Sequence, residues 1–318
     1  PRGTVAMDKM SHDYDGFFAG IAVHNGDPMA VPVYDDGLNL SSFPGSVTDR
    51  GNVGDPSGIE AEFLQRITQD PVAFLTNGAE YDATNRILYV SVKVDFQTNV
   101  SGDYRIACAI TEDSVTGTTS GYNQVNYYAG GGSGVMGGYE SLPNPVPATQ
   151  MVYDHVARNI LPSFAGQANS FPATVNAGDS HILIFIFNLD PTWNPDHINI
   201  VSMLVEPSGR IDNAGSATIA EGTANGYLAI ENVEPVLQIA IYPNPAANQA
   251  FLEVSGNGQD AVQVMITDLM GKVVSTENYP AINGLTTLSM NLTSLSAGMY
   301  NVQVQIGARI ENQKLTVK

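Results

Sequence analysis

The sequence predicts a mainly β protein that ends in an Ig-like β-sandwich. Its 318 residues are 43% hydrophobic and 14% charged, which is enough apolar material for more than one packed core. Turn-forming residues interrupt the chain roughly every eight to twelve positions, and the runs between them are rich in β-branched and aromatic residues. Helical patterns occur near the start. We therefore expect a partial α/β segment at 1–71, a central β-sandwich at 72–235 and a C-terminal sandwich at 236–318.

The α/β segment is predicted from the order of its local patterns. Residues 4–12 are typical of a helix, and residues 57–68 have apolar residues at helical spacing directly after Pro56, which suits a helix start. Residues 17–23 form a short apolar run typical of a strand, and 43–48 is a second strand candidate. The expected order is therefore α-β-β-α.

Three apolar patterns predict the central sandwich. Residues 87–96 alternate strictly between two faces, which indicates a half-buried strand. Residues 104–111 repeat this pattern and put Cys108 on the apolar face, where a thiol behaves as a small, inert hydrophobe. Residues 182–187 are apolar on both faces, so we expect them at the centre of a sheet. The three strands are expected to share one core.

The last segment differs from the rest in charge. Residues 1–235 carry 9 basic and 27 acidic residues, whereas residues 236–318 carry 4 and 5, so we place a domain boundary there. Alternating apolar residues and glycines at chain reversals predict its sandwich fold: Val302, Val304, Ile306, Gly271 and Gly298.

Four motifs follow one another in this segment. They are Tyr242-Pro243-Asn244-Pro245, then Asp268-x-x-Gly271-Lys272, then Leu295-x-x-Gly298-x-Tyr300, and a basic, apolar tail from Lys314 to Lys318. In this order they closely resemble the type A C-terminal sorting domain of the type IX secretion system. The resemblance implies export across the outer membrane of a Bacteroidota-type bacterium by the type IX machinery. It also implies removal of this domain, followed by release or attachment to surface lipopolysaccharide.

The start of the chain resembles the thioredoxin-like part of outer-membrane-protein-28-related proteins. The resemblance rests on residues 1–3 at a helix start and on the segments 18–24 and 43–50. In that family a Cys-x-x-Cys pair commonly lies directly before such a Pro-x-Gly, so we expect the redox pair one residue before this chain begins. Pro44, which follows Phe43, then corresponds to the cis-proline that faces the cysteines. A plain trans turn proline is the alternative.

The same resemblance continues in residues 106–113 and 153–159, which look like the β-domain signatures of that family. The chain departs from the family pattern because the cysteine pair and the strand before it are absent. Either the mature protein extends before Pro1, or the thioredoxin-like domain is incomplete.

Charge and hydropathy exclude several classes of protein. The formal net charge is −19, which repels the phosphate backbone that supplies most nucleic-acid affinity. The longest apolar run, 182–187, is far shorter than the roughly twenty residues of a membrane-crossing helix. We expect neither a nucleic-acid partner nor a transmembrane helix.

Candidate ligand and modification sites are few. The five histidines show no zinc-binding spacing, and no catalytic residue or cofactor is assigned. His155 and Arg158 are expected to form a structural polar cluster with Asp154. Oxygen-rich turns that include Asp190 and Asp196 offer ligands that suit calcium, although solvated acidic loops are the default interpretation. Ser114 lies in a short Asp-Ser-aliphatic pattern that is used for O-glycosylation in Bacteroidota.

These observations predict a secreted or surface-displayed protein with a binding or structural role, at the outer-membrane surface or outside the cell. Unpaired strand edges offer a route to self-association. The first alternative is an exported thiol–disulfide oxidoreductase whose Cys-x-x-Cys precedes Pro1, since the single cysteine of this chain cannot carry out dithiol chemistry. The second alternative is a calcium-dependent adhesin.

Overall fold

The chain contains two compact units, Pro1–Ile230 and Glu231–Lys318. The predicted boundary between residues 235 and 236 lies outside the described residues, and the predicted boundary between residues 71 and 72 lies inside the first unit. The computed structural model describes residues 1–38, 40, 43–227, 239–257, 260–307 and 309–318.

The first unit begins with helices and very short strands. The predicted helix at 4–12 is α1, and the predicted helix at 57–68 is α3, which follows a 3₁₀ turn capped by the Asp55 carboxylate on the backbone N–H of Ser57. The strand candidate at 43–48 is only two residues long. The elements are α1 (Arg2–Asp13), α2 (Pro32–Leu38), β1 (Ser46–Val47), β2 (Val53–Gly54) and α3 (Ile59–Arg66).

The remaining strands of this unit form two main antiparallel sheets. One sheet has the order β11-β10-β6-β7, the other has the order β3-β4-β9, and β5 pairs with β8. Helix α4 follows the last strand. The elements are β3 (Ala73–Asp82), β4 (Ile87–Phe96), β5 (Val100–Ser101), β6 (Arg105–Glu112), β7 (Val156–Leu161), β8 (Thr174–Val175), β9 (Ser180–Asn188), β10 (Ile198–Val205), β11 (Ile211–Thr218) and α4 (Ile219–Asn225).

The two sheets bury one shared core, as the alternating patterns predict. The apolar face of β4 is at most 1% exposed and packs with the apolar faces of β6, β9 and β10. The mainly β prediction and its sandwich character are confirmed. The fully buried side chains of this core include Leu88, Val90, Val92, Val94, Phe96, Ile106, Ile110 and Phe187.

The expected central position of residues 182–187 is wrong. These residues belong to β9, which within the described part of the chain pairs with β4 alone and is an edge strand. The second face of β9 is apolar for a different reason. Backbone of the chain after α4, and not a further strand, lies over this side of the sheet. Gly78, Ser91 and Ile184 form one row across it, and a Cβ built on Gly78 would lie 2.2 Å from the carbonyl oxygen of Gly226.

The N-terminal segment covers the outer face of the four-stranded sheet. Tyr34 of α2 packs with side chains of β6, β7 and β10 in a second cluster, and Ala19, Ile21 and Val23 pack against it. The predicted strand at 17–23 is nevertheless wrong, because only Ala22 makes a bridge, with Val156 at the start of β7. Its apolar residues reflect burial against a sheet and not membership of one.

Cys108 is fully buried in the sandwich core, and this burial raises the pKa of its thiol. We expect no reaction of the folded protein with dithionitrobenzoate and the release of one equivalent of thionitrobenzoate after unfolding in guanidinium chloride. A Ser133→Cys variant should react at once through its added thiol, because residue 133 is exposed. Rapid modification of Cys108 in the folded protein would contradict the burial.

The second unit is a sandwich of two antiparallel sheets with the orders β12-β13-β16 and β15-β14-β17-β18. Val302, Val304 and Ile306 alternate into its core and are fully buried, as predicted. Among the described residues, no helix is long and apolar enough to cross a membrane. The strands are β12 (Ile239–Tyr242), β13 (Gln249–Asn257), β14 (Val262–Asp268), β15 (Val273–Tyr279), β16 (Asn283–Asn291), β17 (Gly298–Ile306) and β18 (Arg309–Val317).

Candidate functional site

The first sorting motif, at 242–245, holds the end of the chain. The Asn244 side chain donates a hydrogen bond to the carbonyl oxygen of Lys314 at 2.8 Å and accepts one from the backbone N–H of Thr316 at 2.9 Å. The backbone N–H of Lys318 donates to the carbonyl oxygen of Ala246 at 2.8 Å. The structure therefore brings the first and last motifs together. The peptide bonds before Pro243 and Pro245 are cis, and Tyr242 packs against Phe251.

The two middle motifs shape turns. The Asp268 carboxylate accepts hydrogen bonds from the backbone N–H groups of Met270 and Lys272, and Gly271 has a φ of +81°, which suits glycine. The Tyr300 hydroxyl donates to the carbonyl oxygen of Ser296 at 2.7 Å, just before Gly298. The residues of both motifs position the backbone. The turn from Asp268 to Lys272 leaves Leu269 and Met270 exposed.

The predicted thioredoxin-like groove residues lie at the start of α1. The bond between Phe43 and Pro44 is cis, and the Phe43 side chain is exposed. A Cβ built on Gly3 would lie 3.8 Å from the Cβ of Pro44, so this proline lies against the first turn of α1.

The weaker candidates are spread over loops. The Asp190 carboxylate accepts hydrogen bonds from the backbone N–H and hydroxyl of Thr192, and Asp196 is exposed. The described ranges contain no group of three or more histidine, cysteine, aspartate or glutamate residues that could hold a metal ion. Ser114 is exposed with a φ of +57°, and its backbone N–H donates to the Asp154 carboxylate. Calcium binding and glycosylation remain expectations.

A cleft that the sequence patterns did not indicate lies at one end of the β3–β4 hairpin. Its volume is about 560 Å³. Tyr89 of β4 and Tyr227, which follows α4, pack against each other in its wall, with ring centroids 6.2 Å apart and planes at 58°. Glu80 stands directly across the strand pair from Tyr89. The lining residues are Glu80, Tyr81, Asp82, Ala83, Tyr89 and Tyr227.

Carboxylates determine the electrostatics of this cleft. Burial raises the pKa of both the Tyr89 and the Tyr227 phenol; Asp82 and Glu80 raise that of Tyr89 further, and Glu80 and the neighbouring Tyr89 raise that of Tyr227. The Asp82 carboxylate accepts hydrogen bonds from Asn85 and Thr84 in the hairpin turn, which lowers its own pKa and keeps it ionised. None of the described lining residues is cationic. The cleft therefore combines two aromatic faces with negative charge.

Sequence reasoning missed this cleft for a physical reason. The alternation of β4 indicates that Tyr89 points away from the core, but it carries no information about what lies opposite. Tyr227 reaches the cleft through the course of the chain after α4, which depends on packing between distant segments.

Comparison with known proteins identifies two families. The profile of outer membrane protein Omp28 matches residues 33–222, and the profile of the secretion system C-terminal sorting domain matches residues 240–318. No curated protein sequence matches the chain.

Similar solved structures share little sequence with this chain. Red sea bream transglutaminase has 10% identity and a TM-score of 0.23, and the match covers 86% of this chain and 37% of that one. A biofilm-associated protein BSP domain has 8% identity and a TM-score of 0.23, with 81% and 54% covered. Spo0M from Bacillus subtilis has 10% identity and a TM-score of 0.29, with 78% and 91% covered. The chain thus spans little more than a third of the transglutaminase.

The Omp28 profile covers more than half of the chain, and the sorting-domain profile covers the second sandwich from residue 240 onward. Both resemblances seen in the sequence motifs are confirmed. The sorting domain indicates export by the type IX secretion system and contact with its machinery, and it gives the protein an extracellular or outer-membrane-surface location. The chain belongs to the outer membrane protein Omp28 family and ends in a type IX sorting domain.

Proposed function

We propose that this protein is an exported surface component whose first unit binds ligands that carry a cationic group. The observation that supports the proposal is the cleft lined by the packed Tyr89 and Tyr227 rings together with Glu80 and Asp82. The proposal selects binding over a purely structural role.

The chemistry of the cleft favours an organic cation. An ammonium or guanidinium group within about 6 Å of an aromatic centroid is attracted to the ring face, and nearby carboxylates add Coulombic attraction. The net charge of −19 also attracts cations toward the protein surface. Lysine and arginine side chains of extracellular proteins have the required charge and a size that fits the cleft volume.

We expect the full chain to bind a dye-labelled peptide that contains one arginine and one lysine, as measured by fluorescence anisotropy. A twin peptide with citrulline and acetyl-lysine should bind at least tenfold more weakly, on the scale of about 1–2 kcal/mol for desolvated cation–aromatic contacts. Tyr227→Ala should weaken binding of the charged peptide by about tenfold, and Glu80→Gln by about fivefold.

Two matched variants test whether the cleft itself is responsible. Tyr127→Ala removes an exposed tyrosine outside the cleft, and Asp196→Asn removes one exposed carboxylate outside it. Both should bind the charged peptide as the unaltered protein does. Equal binding of the two peptides, or equal losses in Asp196→Asn and Glu80→Gln, would show only nonspecific attraction to an acidic protein and would refute the proposal.

A second candidate function is thiol–disulfide exchange by a cysteine pair outside this chain. The contact of Pro44 with the first turn of α1 favours it, because a thioredoxin-like proline faces the cysteines at a helix start. Exchange requires two thiols, and this chain has one cysteine. Intact mass, N-terminal sequencing and thiol counting on protein from the producing cells would test it. Two further thiols would support the enzyme, and a count of one would exclude it.

A further inference from the structure

Three side chains from distant segments meet beside α1 in the order serine, histidine, aspartate. The Ser11 hydroxyl, in the last turn of α1, lies 2.9 Å from Nε2 of His155, in the turn before β7. On the other side of the ring, Nδ1 of His155 lies 3.6 Å from Oδ1 of Asp113, which follows β6. We propose that Ser11 is a nucleophile, activated by His155 and oriented through Asp113, that hydrolyses esters of neutral acids.

The backbone around His155 fixes the position of its ring. His155 has a φ of +58°, a conformation that residues other than glycine rarely adopt. Its backbone N–H donates to Oδ1 of Asp113 at 2.7 Å, and its carbonyl oxygen accepts from the backbone N–H of Ala22 at 2.7 Å. The Asn199 side chain donates to the other Asp113 oxygen at 2.8 Å. Hydrogen bonds therefore fix the backbone of His155 at both its N–H and its carbonyl oxygen, and they fix both carboxylate oxygens of Asp113.

Close packing holds the ring on its second side. A Cβ built on Gly20 would lie 3.3 Å from Cγ of His155, would overlap the end of Met7 and would be tight against Phe18. Glycine at this position therefore lets the chain approach the ring. The His155 side chain keeps 20% of its surface exposed, and Ser11 is partly exposed, so a small ester has access to the hydroxyl.

The arrangement determines which ring nitrogen accepts a proton. A carboxylate beside Nδ1 favours the tautomer with its proton on Nδ1, which leaves Nε2 as an acceptor for the Ser11 hydroxyl. A hydroxyl that donates to a neutral imidazole is the usual form of an activated serine. The 3.6 Å separation between Nδ1 and Oδ1 exceeds a hydrogen bond, and such contacts commonly tighten when substrate binds.

The surrounding charges limit the substrate. Asp113 lies beside the His155 ring, and Asp8 on α1 interacts electrostatically with both His155 and Asp154. Burial raises the pKa of Asp8, Asp154 raises it further, and His155 opposes these effects. These carboxylates repel anionic acyl groups, and the apolar ends of Met7 and Phe18 lie nearby. Esters of short, neutral acids fit these conditions.

The reaction requires only water as a second reactant. Oγ of Ser11 bonds to the carbonyl carbon of the ester while its proton moves to Nε2 of His155. The bond between that carbon and the alcohol oxygen then breaks, and His155 returns the proton to the departing alcohol. Water, deprotonated by His155, attacks the acyl-serine and releases the acid and the free Ser11 hydroxyl.

The test uses the full chain and a biotin-linked fluorophosphonate, with the modified residue located by mass spectrometry. We expect one adduct, on Ser11, and none in Ser11→Ala. His155→Gln should slow the labelling on the order of 100-fold, and Asp113→Asn at least about tenfold. The rates of p-nitrophenyl butyrate hydrolysis should rank these variants in the same order as their labelling rates. His12→Gln and Ser120→Ala, at exposed positions outside the three-residue site, should match the unaltered protein.

A measurement on the unaltered protein covers the case in which a variant fails to fold. Its hydrolysis of p-nitrophenyl butyrate should fall in proportion to the fraction of Ser11 that carries the fluorophosphonate label, because a blocked hydroxyl cannot attack the ester. No adduct on Ser11, hydrolysis that persists after Ser11 is fully labelled, or a folded His155→Gln variant that labels at the original rate would each overturn the proposal and leave only a structural hydrogen bond.

Discussion

Truncation of the chain after residue 238 is expected to abolish export while the first unit stays folded. Among the residues that the structure describes, each unit has core clusters of its own. We therefore expect the second unit to direct export without being required for the stability of the first unit. We expect the surface-exposed fraction, measured by protease treatment of whole producing cells, to fall to background while the truncated protein accumulates inside.

A point variant tests the same idea without shortening the chain. Val302 is fully buried in the second core, and Val302→Asp would place an unpaired carboxylate there, which should unfold the second unit alone. Ser294→Asp places the same group at an exposed position and should leave export unchanged. Surface display of the truncated chain at the original level would refute a sorting role for this domain.

The fold could be predicted where local pattern and burial coincide. The alternation of β4 and β17 depends on which side chains face a core, so Val92 and Val304 could be placed in it from their neighbours alone. Helix α4 also has a start signal in the sequence: Thr218 and Glu221 form a capping box, with hydrogen bonds in both directions. Helix α2 had a weaker signal, because Gly37 disfavours a helix.

The candidate sites could not be predicted, because each depends on contacts between distant segments. Gly37 is required where Phe164 packs against α2, since a Cβ there would lie 2.3 Å from the Phe164 ring. The glycine alone does not indicate which distant residue packs against it. In the same way, no local pattern pairs Tyr227 with Tyr89 or Ser11 with His155. The sorting motifs were readable because several short patterns recur in a fixed order.

The contacts of Arg158 differ from those of the predicted polar cluster. We expected it to act with His155 and Asp154, but its Nε donates to Oε2 of Glu112 at 2.7 Å, and its guanidinium lies 5.6 Å from the Trp193 ring centroid. The other Glu112 oxygen accepts the backbone N–H of Asn194 at 2.7 Å. The reason is strand pairing, since residues 158 and 112 belong to the adjacent strands β7 and β6.

Arg158→Met is expected to destabilise the first unit by about 3–5 kcal/mol. The side chains of Arg158 and Glu112 are only 13% and 6% exposed, so loss of the cation leaves a buried carboxylate without a charge partner. A loss of this size lowers the unfolding temperature by about 6–20 °C in a unit of this length. The change should be measured by thermal unfolding and by urea titration of the full chain, followed through near-ultraviolet circular dichroism.

The surface pair of Arg105 and Asp103 supplies the matched control. Its side chains are 31% and 54% exposed, and Arg105→Met should cost no more than about 1 kcal/mol because water solvates the remaining carboxylate. Adding Glu112→Gln to Arg158→Met should recover part of the lost stability, because the neutral amide no longer needs a cation and its carbonyl oxygen can still accept from Asn194. Equal losses in the Arg158 and Arg105 variants would mean that burial does not determine the strength of the Glu112 pair.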